Sequence, residues 1–453
     1  MVSLSFYGGI GEIGGNKILL EDEDSRMWFD FGEAFDMGEE FFVNWLSPRR
    51  HNGVGDYFEF DLLPKIPGLY SEETLFNTSL SYTEPQFDAV FLSHAHYDHV
   101  NHIGFLDPGI PIYTGEGTKI FIDAFERTSY RADYGKHDYR CFRTGDIVRV
   151  NDVEVEPIHV DHSIPAAYGY IIHTSEGAVV YTGDLRAHGP RADMTEEFLE
   201  AAEYYDPVAM ISEGTRMLRR GRRRHLSESG VYRGVKKVIE EADREGKAVI
   251  YTHPSRDMDR LRTFHTAAES SGRVMVIDIK KAYLLDRLIE DEHLPLADPL
   301  SDDLIRVYYR KKKSCTYNEM DYYIWERKYL DRMITSQELR EHPERYIVNL
   351  DFYNLAELID IRPEEGSPFI YSRSEPFTEE DIEDEVLHNW LDHFGLVYHQ
   401  LHASGHMSRK ELGEMVNRVK PGKLFPVHTE QPELFKEHYP STICPDSHKR
   451  YEL

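Results

Sequence analysis

The stretch Ser93-His94-Ala95-His96-Tyr97-Asp98-His99 decides how this chain folds and what it can hold. It follows Phe87-Asp88-Ala89-Val90-Phe91-Leu92, an apolar run with β-branched and aromatic residues and turn residues at both ends, which predicts a short buried strand. The donor side chains then lie at the C-terminal lip of that strand. Alternate side chains of an extended segment share a face, so His94 and His96 can grip one cation from one side. Asp98 and His99, opening the next turn, can reach a second. A single histidine is usually a satisfied core or surface imidazole, but His-x-His-x-Asp-His at a strand end is a pattern that metal chemistry explains and packing does not.

Later strand ends supply what this stretch lacks. The strand-like run Val153 to Val160 ends in Asp161-His162-Ser163, and Ala178-Val179-Val180-Tyr181 ends in Thr182-Gly183-Asp184. His162 offers one cation a third nitrogen, and Asp184 offers a carboxylate able to bridge both. Upstream, Asp30 interrupts the apolar run Met27 to Gly32. A buried unpaired carboxylate is costly, so Asp30 is expected to orient a metal-binding histidine, the alternative being an exposed strand-end carboxylate. The segment Gly8-Gly9-Ile10-Gly11-Glu12-Ile13-Gly14-Gly15 contains G-x-G-x-x-G. The next residues, Asn16 to Glu21, read as a strand and not a helix, so the glycines predict a tight β-β connection and not a dinucleotide site. Residues 33–86 read as a long irregular excursion that points to no function.

Composition bounds the rest. A chain of 453 residues can bury two or three cores. With 81 acidic against 52 basic residues its net charge is −29, which argues against a membrane surface and against nonspecific polyanion coating, while a local basic groove can still bind phosphates. Cys141, Cys315 and Cys444 are too few and too scattered for a disulfide framework, so a reducing, cytoplasmic setting is expected. No leader-like or membrane-spanning run is expected.

With these motifs in place the chain resembles the metallo-β-lactamase fold superfamily. Ile211-Ser212-Glu213-Gly214-Thr215, Leu401-His402-Ala403-Ser404-Gly405-His406-Met407-Ser408 and Leu424-Phe425-Pro426-Val427-His428-Thr429 resemble motifs A, B and C of its β-CASP branch, whose members act on nucleic acids. The Ser-Gly-His-x-Ser form of motif B, with Lys420 to His428, is most similar to the ribonuclease J family. Two departures are Thr429 where family members usually have Gly, and Glu213 where bacterial members tend to have Asp. Neither removes a ligand. The resemblance implies an α/β fold, an αββα metallo-β-lactamase sandwich built from residues 1–214 and 386–453, with a smaller parallel-sheet β-CASP domain inserted at 215–385. The separate C-terminal domain of many bacterial relatives is not expected after His428, so self-association that depends on it is in doubt, and a homodimer stays an open expectation.

The resemblance also implies a site. His94, His96 and His162 would hold one cation, Asp98, His99 and His428 the other, with Asp184 bridging. A set of imidazoles and carboxylates without thiolate suits two Zn2+ per chain, with Mn2+ as the alternative. His406 would hydrogen-bond the scissile phosphate or protonate the leaving 3′-oxygen, oriented by Glu213, and Asp98 and Asp184 would share in catalysis through the cations. In such an arrangement Ser372, Ser374, Ser404 and Gly405 would hold a terminal 5′-phosphate across the domain junction, the alternative being turn-capping serines. Arg216, Arg219 and Arg220 open a basic run through Arg224 that directly follows Glu213, which suggests contact with an RNA backbone; a second run, Arg310 to Lys313, reads equally as a solvated face.

The expected function is hydrolysis of single-stranded RNA from 5′ to 3′, with a preference for 5′-monophosphate ends. The alternatives are a β-CASP endonuclease and a small ester or thioester hydrolase of the same fold. The second is disfavoured by the long insert and the Ser-Gly-His motif, and a nonenzymatic scaffold by the presence of every expected ligand type.

Overall fold

The computed structural model describes residues 1–453 except 44, 130–131, 220–225 and 375–381, and leaves out the side chain of Arg50. Chain contacts divide it into two compact units, one formed by Met1–Gly221 and Gly405–Leu453, the other by Arg222–Ser404.

The first unit is built on two sheets. In one, Arg450–Glu452, Ser3–Gly8, Lys17–Asp22 and Ser25–Phe29 run antiparallel, and Ala89–Leu92, Ile112–Gly115 and Tyr139–Phe142 continue in parallel. In the other, Lys423–Val427, Ala209–Glu213 and Gly177–Tyr181 are parallel, followed by antiparallel Tyr168–Thr174, Val153–His159 and Val148–Val150. Alternation along the strands sends Phe6, Phe29 and Phe91 from the first sheet and Tyr170, Tyr181 and Phe425 from the second into one shared core. The opposite faces are covered too. Val90 and Ile112 pack with Ile122 of the helix Glu116–Thr128, and Met210 and Leu424 pack with Phe198 of Ala192–Tyr204 and Leu412 of Arg409–Val419. The result is the four-layer αββα arrangement.

This pairing collects strand ends. Lys423–Val427, Ala209–Glu213 and Gly177–Tyr181 point the same way, and Val153–His159, two antiparallel steps from the last, points that way as well. His428, Glu213, Asp184 and His162 therefore emerge along one edge. In the other sheet Ser25–Phe29 and Ala89–Leu92 are parallel neighbours, which places Asp30 beside Ser93.

The glycine-rich segment connects the antiparallel strands Ser3–Gly8 and Lys17–Asp22, as a β-β connection requires. Its residues press against the ligand turn. The Gly15 N–H donates to the Asp98 carbonyl at 2.9 Å, and a Cβ on Gly14 (φ +83°) would stand 2.5 Å from the Cβ of Asp98. Only glycine allows both that backbone conformation and that approach.

The second unit carries a sheet in the order Met333–Ile334, Ile305–Tyr308, Val274–Ile277, Tyr346–Asn349, Val249–Thr252, Pro368–Tyr371 and Val397–Gln400, parallel at every pairing. Its strands are short and apolar, and helices such as Glu228–Glu245 and Met258–Ser270 connect or flank them, as parallel pairing demands. The chain division differs from the expected 215–385. Residue 386 falls inside the helix Ile382–His393, whose Leu387 and Leu391 pack in this unit's core, and Val397–Gln400 then pairs with Pro368–Tyr371, so the chain leaves the inserted unit only after Ser404. Among the described residues no helix is long and apolar enough to cross a membrane.

Candidate metal centre

The seven side chains from four strand ends and one helical turn converge in two groups. His94, His96, His162 and Asp184 form one and Asp98, His99, Asp184 and His428 the other, with the donor atoms of each group lying within 4.8 Å of one another. In the first, His96 Nδ1 lies 2.9 Å from His94 Nε2 and 3.1 Å from His162 Nε2, and Asp184 Oδ2 is 3.7 Å and 3.9 Å from those two Nε2 atoms. In the second, Asp98 Oδ2 is 2.8 Å from His428 Nε2 and 3.7 Å from His99 Nε2, and Asp184 Oδ2 is 3.6 Å and 3.2 Å from the same nitrogens. A tetrahedral cation with bonds of about 2.0–2.1 Å sets its ligand atoms roughly 3.3 Å apart, and both groups bracket that spacing. The donors are also short of other partners: buried Asp184 Oδ1 and His99 Nε2 accept or donate no hydrogen bond among the described residues. The residues present thus fit a pair of divalent cations sharing Asp184.

Electrostatics agree with that fit. Burial, together with the neighbouring rings of His99, His96 and His162, holds His94 well below the usual histidine range, and burial with His96 does the same to His162. Both rings are therefore neutral and can offer lone pairs. Around the second position burial favours neutral His99 and His428, but Asp184, with Asp30 and Asp98 at His99 and Asp98 at His428, outweighs it and raises both. Asp184 stays well below the usual carboxylate range against the effect of burial, because His428, His99 and His406 surround it. The carboxylates thus draw positive charge to the second position, onto His99 and His428.

The supports are as specific as the ligands. Asp30, fully buried, accepts from the Ser93 amide (2.7 Å), the Ser93 hydroxyl (2.8 Å), the Tyr181 hydroxyl (2.6 Å) and His99 Nδ1 (2.7 Å). Holding the proton on Nδ1 leaves His99 Nε2 facing Asp98 and Asp184. His162 Nδ1 donates to the Gly405 carbonyl at 2.6 Å. Beside this centre, His406 Nδ1 stands 3.8 Å from Asp184 Oδ2 and 3.6 Å from Glu213 Oε1, with the His406 side chain 20 % exposed where its neighbours are closed off.

Several expected contacts take a different form. Ser372 is fully buried, and its hydroxyl accepts from Arg260 Nη1 at 2.5 Å and donates to the Leu401 carbonyl. It belongs to a network in which Arg260 also binds Glu228 and the Ala403 carbonyl, so it is corrected from a phosphate contact to an interior hydrogen-bonding group. Gly405 directs its carbonyl to His162, and a Cβ there would meet that ring at 3.0 Å, so the residue supports that histidine through its carbonyl. Ser374 is exposed and Ser404 half-buried. Arg216 Nη1 donates to the His406 carbonyl at 3.0 Å, Arg219 is exposed with Glu433 3.9 Å away, and Arg220 lies outside the described residues.

Sequence reasoning missed three groups. Ser93 bridges Asp30 to His94 and His99; buried Arg186 donates to Asp161 at 3.0 Å beside His162; and the Thr215 hydroxyl lies between two histidine rings. Ser93 and Thr215 stand inside quoted motifs and Arg186 two residues beyond Asp184, and that proximity is the signal the sequence offers.

The comparisons accord with this geometry. Residues 67–253 match the Beta-lactamase superfamily domain, and residues 396–438 match the Zn-dependent metallo-hydrolase RNA specificity domain. Ribonuclease J of Sinorhizobium meliloti is 27% identical over 363 residues, and Ribonuclease J 2 of Streptococcus pyogenes is 23% identical over 447. The chain is a β-CASP ribonuclease J-like protein. The first match takes in 76% of this ribonuclease J-like chain and 58% of its relative, the second 96% and 70%. A protein of unknown function from Enterococcus faecalis V583 shares the fold, with a TM-score of 0.79 at 23% identity over the full length of both chains.

Proposed function

We propose that the chain is a metal-dependent ribonuclease that hydrolyses phosphodiester bonds of single-stranded RNA. The observation that carries this reading is Asp184, buried and shared by two complete donor groups. The matching RNA specificity domain and the relatives named Ribonuclease J support RNA as substrate. Two divalent cations, zinc by the donor set or manganese, would lower the pKa of an attacking water and offset charge on the phosphate. His94, His96 and His162 would hold one and Asp98, His99 and His428 the other, with Asp184 between them. Asp30 fixes the ring of His99. His406, partly open to solvent and with Glu213 Oε1 3.6 Å from its Nδ1, would hydrogen-bond the phosphate or deliver a proton to the leaving 3′-oxygen. The free cysteines, two exposed and one half-buried, fit a reducing cytoplasm.

Attack from 5′-monophosphate ends follows from the family resemblance, with Ser374 and Ser404 as the remaining candidates near the end phosphate. Endonucleolytic cleavage is the second reading, favoured by the burial of Ser372, which removes one expected end contact. RNA labelled at its 5′ end and carrying mono- or triphosphate tests both against a chelator control. Early release of labelled mononucleotide supports the exonuclease, and early long fragments the endonuclease. Undiminished cleavage in chelator would end the two-cation reading. His406→Ala is expected to keep its metal and lose about tenfold to a thousandfold in turnover.

A further inference from the structure

The Thr215 hydroxyl sits between two rings that do different work. Its Oγ1 is 2.8 Å from His428 Nδ1 and 3.1 Å from His406 Nδ1, and 3.5 Å from the His428 carbonyl. The position is tightly made. Gly214 before it has no room for a Cβ, which would stand 2.6 Å from the Phe435 ring and 3.0 Å from Thr429 Cβ, and the Thr215 amide donates to Glu213 Oε2 at 2.8 Å. A β-branched side chain has few rotamers, so the hydroxyl is held and not merely nearby.

Hydrogen-bond polarity follows from the far side of His428. Its Nε2 is the atom that faces Asp98 and Asp184, 2.8 Å and 3.6 Å away. A ring nitrogen that gives its lone pair to a cation carries no proton, so the other, Nδ1, must. With a cation at Nε2, that N–H would donate to Thr215 Oγ1. The hydroxyl then has one hydrogen to give, and its nearer acceptor is His406 Nδ1. A ring that accepts at Nδ1 keeps its proton on Nε2. Glu213 Oε1 and Asp184 Oδ2, 3.6 Å and 3.8 Å from His406 Nδ1, are both beyond hydrogen-bonding length, so the Thr215 hydroxyl is the nearer polar neighbour of that nitrogen.

We propose that Thr215 is a positioning residue that passes the polarity fixed at His428 on to His406, placing the His406 ring proton on Nε2. The inference rests on the metal-centre reading above. It turns motif A from a carboxylate alone into a carboxylate and a hydroxyl with separate tasks: Glu213 anchors the loop through the Thr215 amide, and Thr215 orients the ring. His406 then meets a substrate with a defined donor, the Nε2–H, which matches a group that must hydrogen-bond a phosphate or protonate a leaving oxygen.

The test reads ring nitrogens directly. In the zinc-loaded full chain, 15N-labelled at histidine, the His406 signals are identified by their loss in His406→Ala. The wild-type protein should show His406 as the Nε2–H tautomer. Thr215→Val, isosteric but without the hydroxyl, should keep wild-type zinc content, lose the single tautomer and slow RNA cleavage by about tenfold or more. Thr215→Ser should restore both. A wild-type spectrum showing Nδ1–H at His406, in which both rings donate to the hydroxyl, overturns the proposal without any variant. Unchanged His406 shifts in Thr215→Val overturn it as well. If Thr215→Val fails to fold, the wild-type and Thr215→Ser spectra decide. Failure of RNA cleavage by wild-type protein would count against the ribonuclease reading and leave the tautomer measurement standing.

Discussion

Replacing Asp30 probes the link between the fold and the metal centre. Its carboxylate, fully buried, receives four hydrogen bonds of 2.6–2.8 Å, from the Ser93 amide and hydroxyl, Tyr181 and His99. Asp30→Ala strands these donors in a closed interior, where each unsatisfied group costs about 1–3 kcal/mol, and local relaxation keeps the total to roughly 3–5 kcal/mol. Alanine also tolerates the residue's φ of +56° less well than aspartate, which adds about 1 kcal/mol. Asp30→Asn separates stability from metal binding. It keeps the shape and one acceptor oxygen, but it sets an N–H₂ among donors and no longer offers a charge to His99 Nδ1–H. Loss of such a support lowers metal affinity about 10- to 100-fold. Urea unfolding of the metal-free chain gives the first quantity and competition with a chromophoric chelator the second. If Asp30→Asn held its metal as tightly as wild type, the claim that Asp30 fixes His99 for ligation would be wrong.

The same packing leads to three further expected outcomes. Gly14→Ala, at φ +83° with its new Cβ 2.5 Å from Asp98 Cβ, should destabilise by about 2–4 kcal/mol and lose metal, whereas Gly11→Ala, at φ +68° with open space, should cost only about 1 kcal/mol; equal effects on metal content would contradict the packing argument. Glu33 is half-buried, which alone would raise its pKa, yet hydrogen bonds and charge from His102, then Tyr97 and Asn101, bring it from 4.5 to about 2. Its contribution is thus fully present above the unfolded value near 4.5 and lost as pH falls toward 2, so Glu33→Gln should flatten that acid limb by on the order of 2–3 kcal/mol in pH-dependent unfolding, and an unchanged limb would assign it to other carboxylates. Ser372→Ala should destabilise by about 1–2 kcal/mol, by leaving the Leu401 carbonyl without its hydroxyl donor, while the ratio of rates on 5′-monophosphate and 5′-triphosphate RNA stays at the wild-type value. A changed ratio would return Ser372 to the end-phosphate site.

What the sequence determined by itself is the part governed by local rules. Alternation along a strand and ligand chemistry at its end made His94, His96, Asp98 and His99 legible, and the same reading at His162 and Asp184 needed only the apolar runs before them. A strand after Gly15, where a nucleotide site needs a helix, identified the glycine loop as a β-β connection. Tertiary structure alone decided where hydrogen bonds between distant segments go. Nothing near Gly405 tells that its carbonyl meets a histidine 243 residues earlier, or near Ser372 that Arg260, 112 residues earlier, engages its hydroxyl. Thr215 likewise meets rings 191 and 213 residues away. A hydroxyl or a carbonyl has no periodicity to betray its partner, and its role is fixed only when folding brings one particular donor or acceptor within about 3 Å.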